Sequence, residues 1–165
     1  MKLNTLTIAA ALACAGAAQA ATFNIGTLPI APAFYSNTTS VAAGAFTDVY
    51  DFVFPALGAT ASGAAVSINV SPILIIDNLQ VNLRDAGNTL LAAGPVGASS
   101  VVFDILLIPG YSYSYEVLGT ATGSAGGTYS FLASAAPIPE PGTYALMLAG
   151  LGVVGRIAAR RRGAA

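Results

Sequence analysis

Apolar and polar residues alternate with period two through the middle of this chain, and no long stretch there carries the 3.6-residue period of an amphipathic helix. Phe46, Asp48, Tyr50, Phe52 and Phe54 fall on one face of an extended segment. Val66, Ile68 and Val70 alternate with Ser67, Asn69 and Ser71, and Leu79, Val81 and Leu83 alternate with Asn78, Gln80, Asn82 and Arg84. Asp85-Ala86-Gly87-Asn88 reads as a hairpin turn into Thr89 to Ala92. Val101 to Ile108 is an apolar strand interrupted by Asp104, and Pro109-Gly110 follows as a turn. Tyr111, Tyr113, Tyr115 and Val117 alternate with Ser112, Ser114 and Glu116. Gly119 to Gly127 reads as a loop and Thr128 to Ser134 as a last strand. About seven to nine short strands separated by turns predict an all-β fold, an antiparallel β-sandwich. No helical crossover is present to support parallel βαβ units.

The two ends follow other rules. Residues 1–20 have the order of a signal peptide: Lys2, an apolar run over Leu6 to Ala18, then the small-x-small site Ala18-Gln19-Ala20. Cleavage by signal peptidase there makes Ala21 the first residue of the mature chain. Residues 21–136 form the ectodomain. Residues 137–165 form a tail in three parts. Pro139-Glu140-Pro141 holds the chain extended and ends the preceding domain, because proline fixes φ and lacks an amide donor. Thr143 to Gly155 carries no charge, and a single transmembrane helix is expected over 143–159, with Arg156 snorkelling toward the headgroups. Arg160, Arg161 and Arg162 then hold that end in the cytoplasm by the positive-inside rule.

Pro139-Glu140-Pro141, the run Thr143 to Gly152 and the terminal arginines resemble the PEP-CTERM sorting tail of Gram-negative bacteria. The resemblance implies recognition by an exosortase, a membrane cysteine protease of transpeptidase type. It also implies export through the inner membrane, transient anchoring there, and release to the cell surface or an exopolysaccharide matrix. Similar tails occur on some ice-binding proteins. A second resemblance covers most of the mature chain. Phe46-x-Asp48-x-Tyr50, with Gly119 to Gly123 and Gly126 to Ser130 ahead of the tail, is similar to the FxDxF group of small PEP-CTERM proteins. Tyr50 stands where that pattern has Phe. The group implies no activity.

Composition narrows the chemistry. The chain of 165 residues holds no His, which removes Ser-His-Asp and Cys-His triads and nearly all zinc sites. Its one cysteine, Cys14, lies in the leader, so the mature monomer has no disulfide. Between Ala21 and Ala136 the only base is Arg84, against Asp48, Asp51, Asp77, Asp85, Asp104 and Glu116. This acidic balance argues against nucleic acid as a partner. Asp48 needs a partner if its face is buried; backbone amides, Arg84 or a tyrosine hydroxyl are the candidates. Tyr50 as a platform for a sugar ring, the Tyr111–Tyr115 stripe as a stacking ladder, and weak calcium binding by the carboxylates are alternatives. Paired carboxylates could run glycoside hydrolysis, but a small domain poor in polar side chains leaves little room for a cleft. The expected class is a non-enzymatic surface or matrix protein without a cofactor.

Overall fold

The computed structural model describes residues 18–56, 59–137 and 141–162. Among these residues, nine strands form two packed sheets. They are β1 Thr22–Thr27, β2 Tyr35–Val41, β3 Gly44–Val53, β4 Ala59–Ile68, β5 Ile76–Asp85, β6 Leu90–Ala93, β7 Ser99–Leu106, β8 Ser112–Ala121 and β9 Gly127–Pro137. One sheet has the order β1-β3-β8-β5-β6 and the other β2-β9-β4-β7. The hairpin read at Asp85 forms between β5 and β6. Asp85 accepts from Asn88 and Thr89, and Asn88 takes the positive φ of 64° that the turn needs. The loop expected from Gly119 is shorter, because β8 continues to Ala121 and pairs there with β3 and β5.

One pair departs from the antiparallel expectation. β1 runs parallel to β3, with Phe23 opposite Tyr50. No helix is needed, because β2 lies in the other sheet and carries the chain across and back.

The core lies between the sheets and is largely aromatic. Phe46 and Tyr50 of β3 and Tyr115 of β8 meet Tyr129 and Phe131 of β9, and Phe52 of β3 packs on Tyr113 and Tyr115 of β8. Leu79, Val81 and Leu83 fill the β5 side, each fully buried as their alternation predicts. β4 differs from its expected pattern. Its inward face is Ala59, Ala61, Gly63 and Ala65, while Val66 and Ile68 are exposed. Ring volume explains the choice: a Cβ on Gly63 would lie 2.6 Å from the Tyr115 ring. Small residues on one sheet make room for large rings from the other.

The expected leader helix falls almost wholly outside the described residues, as do Pro139 and Glu140 of the tail motif. A helix, α1 Pro141–Arg162, follows the sandwich. It corrects the transmembrane expectation, since no helix among the described residues is long and apolar enough to cross a membrane. The reason is length. The uncharged run from Thr143 to Gly155 rises only about 20 Å, against a hydrocarbon core of about 30 Å. Arg156 ends the uncharged run within the helix before the arginine cluster begins.

Candidate functional site

A buried polar chain crosses the sandwich at Asp48, which is 1% exposed. Alternation on β3 turns this carboxylate inward between Phe46 and Tyr50. The β9 register places Tyr129 against it, and the Tyr129 hydroxyl donates to Asp48 Oδ2 at 2.5 Å. Having given its only proton, Tyr129 accepts from the Tyr50 hydroxyl at 2.9 Å. Tyr50 in turn lies within reach of Thr39 Oγ1 at 3.3 Å and accepts from Asn37 Nδ2 at 3.4 Å, both on β2. The far oxygen, Asp48 Oδ1, accepts from the backbone amide of Ala21 at 2.9 Å. Protons therefore all point toward the carboxylate. Burial pushes the Tyr129 phenol far above its ordinary value, and its bonds to Asp48 and Tyr50 add to this. Burial also raises Tyr50, against the lowering effect of its hydrogen bonds.

Of the candidate partners for Asp48, a backbone amide and a tyrosine hydroxyl are used. Arg84 is not. It pairs with Glu116 at 2.9 Å and donates to the Asn88 carbonyl on the outer side of the sheet. Tyr129 is the functional residue that sequence reasoning missed. Its signal was the period-two run Tyr129, Phe131, Ala133, Ala135, all buried.

The sugar-platform readings do not fit these positions. Tyr50 and Tyr115 are fully buried and Tyr113 nearly so; of the stripe only Tyr111 is exposed. For calcium, no group of three or more acidic side chains gathers among the described residues. Asp77 is occupied by Thr122 and Glu116 by Arg84 and Asn82.

Tyr115 presents a contrast with Tyr129. Its hydroxyl is buried with no hydrogen-bond partner, and burial alone pushes its pKa up. Removing an unsatisfied hydroxyl removes its desolvation cost. Tyr115→Phe is therefore expected to leave stability unchanged or raise it by up to about 1 kcal/mol in urea unfolding. A loss of more than about 1 kcal/mol would mean the hydroxyl has a partner.

At the amino-terminal side, Ala18 and Ala20 are exposed and Ala21 is half-buried. Gln19 bridges to β3, donating to the Ala45 carbonyl and accepting from the Thr47 amide. At the other end, Pro141 starts α1 and Arg160, Arg161 and Arg162 close it. Leu146, Leu148, Leu151, Val153 and Val154 of this helix are each at least 60% exposed. Together they form an exposed apolar surface.

Residues 137–162 match the family model of the PEP-CTERM protein-sorting motif. No curated protein matches the chain. Among solved structures, the chain is similar to the pre-peptidase C-terminal domain of a collagenase from Bacillus anthracis. Identity is 20% over 69% of this chain and 93% of that one, with a TM-score of 0.44. It is also similar to PliG from Aeromonas hydrophila, a periplasmic inhibitor of g-type lysozyme, at 16% identity over 72% and 99% of the two chains and a TM-score of 0.41.

Proposed function

We propose that this is a non-enzymatic exported protein, delivered to the cell surface or its extracellular matrix through exosortase processing of its tail. The match of residues 137–162 to the PEP-CTERM sorting motif carries this reading. The exposed apolar side chains of α1 support it, because a short apolar helix with an arginine-rich end suits capture by a membrane enzyme at the inner-membrane surface. Absence of His, and of any Cys after the leader, supports a non-catalytic ectodomain. Membership of the FxDxF group is part of the same reading. There the Phe46-x-Asp48-x-Tyr50 motif serves to lock the two sheets rather than to bind a ligand. The leader is removed by signal peptidase after Ala20.

Mass spectrometry of the surface form tests the sorting. The native host is expected to yield a chain that ends before Arg160. Replacing Pro139, Glu140 and Pro141 together with Ala should leave the full tail attached and the protein in the membrane fraction. A surface form that still carries Arg160-Arg161-Arg162 would sink the proposal.

A further inference from the structure

The leader boundary and the buried carboxylate meet at one atom. The Ala21 nitrogen donates to Asp48 Oδ1. While the leader is attached, that nitrogen is a neutral amide. Hydrolysis of the Ala20–Ala21 peptide bond breaks its C–N bond. The oxygen of water ends on the Ala20 carboxylate and both its hydrogens on the Ala21 nitrogen, which becomes an ammonium. We propose that Asp48 is the receptor for this α-ammonium, so that leader removal converts a neutral hydrogen bond into a buried ion pair that completes the ectodomain. The proposal rests on the reading that the leader leaves after Ala20.

Three observations carry it. First, Asp48 is buried with only neutral donors, the Ala21 amide and the Tyr129 hydroxyl. A buried carboxylate is strongly favoured by a cation, and the one ectodomain base, Arg84, is spent on Glu116. Second, Ala21 is fixed independently of the leader. Its carbonyl accepts from the Val49 amide at 2.8 Å, which keeps the nitrogen aimed at Asp48 after cleavage. Third, space is available. Gln19 and Ala20 line a groove of about 290 Å³ with Thr39, Ser40, Val41 and Asp48. Their departure opens it, leaving room for the other ammonium hydrogens to reach water. The bonds lost with Gln19, to Ala42, Ala45 and Thr47, are backbone groups that water can satisfy. The site also reads the cleavage position. One extra residue would move the amine by about 3.8 Å, beyond hydrogen-bond reach of Oδ1.

The sequence supplies a clean probe. Lys2 is the only lysine and leaves with the leader, so the Ala21 α-amine is the one primary amine of the processed chain. The exported protein is first sequenced from its amino terminus, then acylated with an amine-reactive ester across a pH series and read by intact mass. An ordinary α-amine titrates near pH 8. Pairing with Asp48 favours the ammonium, so the pH midpoint of acylation should rise by at least about one unit. At neutral pH the folded chain should then react about tenfold more slowly than the denatured chain. The midpoint separates an ion pair from mere steric cover, which slows the reaction without moving its midpoint. The titratable groups facing Asp48 are Tyr129 and Tyr50, both pushed above their ordinary range and silent in this window; β2 offers Thr39, which does not titrate. Asp48→Asn should return the midpoint to the ordinary value. A glycine inserted before Ala21 keeps Asp48 intact and should do the same, which guards against an Asp48→Asn chain that fails to fold. A first residue other than Ala21 would sink the leader reading and the proposal with it. Ala21 first, with an unmoved midpoint, would overturn the proposal alone.

Discussion

Above pH 10 the β-sandwich is expected to lose stability at about 4 kcal/mol per pH unit. Tyr50, Tyr115 and Tyr129 are all fully buried, and burial pushes each phenol up. In the unfolded chain a tyrosine releases its proton near pH 10. The unfolded state thus binds fewer protons than the folded one above that pH, and the sign of the linkage makes stability fall as pH rises. Below pH 10 both states keep the protons and the contribution is fully present. Three phenols acting together each contribute about 1.4 kcal/mol per unit. A domain of ordinary stability, about 5–15 kcal/mol, should unfold within a few pH units of the onset. Tyrosinate absorbance and far-UV dichroism should change together in one transition for these three rings. Tyr115→Phe should reduce the slope by about one proton. Three buried tyrosines ionising near pH 10 with the strand signal intact would contradict the packing described.

Legibility in the sequence followed side-chain volume. The β3 face was readable because five large or charged residues recur at every second position, and Phe46, Asp48, Tyr50, Phe52 and Phe54 are all buried. The same holds for Leu79, Val81 and Leu83. β1 and β2 gave no comparable signal. They are edge strands whose inward residues, such as Phe23, Asn37 and Thr39, are only half-buried. β4 misled for a physical reason. Alanine and glycine carry little apolar volume, so its buried face was silent, while the exposed Val66 and Ile68 spoke for the wrong side. Only the opposing rings, Tyr115 against Gly63 above all, say why small residues belong there.

The candidate site divides in the same way. That Asp48 needs a partner follows from one strand's alternation. Which partner it takes depends on how two sheets register: Tyr129 lies 81 positions away along the chain and Ala21 lies 27. Arg84 was the nearest base by charge, yet its outward position on β5 commits it to Glu116. The tail was legible for the opposite reason. Proline, an uncharged run and an arginine cluster are local signals that need no partner strand. The length of that run was legible too, and it argues against a spanning helix as much as for a sorting signal.

Truncating Tyr50 to Ala is expected to lower the stability of the sandwich by about 4–5 kcal/mol. The ring stacks on Phe23 at 4.7 Å and on Phe131 at 4.2 Å, and meets the edge of Tyr35 at 6.2 Å. It therefore ties β1, β2 and β9 to β3, and its loss leaves a cavity lined by rigid rings that cannot collapse into it. Its hydroxyl adds a separate contribution, donating to Tyr129 within the chain that ends at Asp48. Tyr50→Phe separates the two. The stack survives and Tyr129 keeps its bond to Asp48, while the short bond to Tyr129 and the two long contacts to Asn37 and Thr39 are lost, about 1–2 kcal/mol in all. Urea unfolding of both variants reads the ratio, with the alanine form expected to cost several times the phenylalanine form. A phenylalanine form as damaged as the alanine form would show that the polar chain, not the aromatic stack, holds the sheets together at this position. Preserved stability in both would mean that Tyr50 does not bridge the sheets at all.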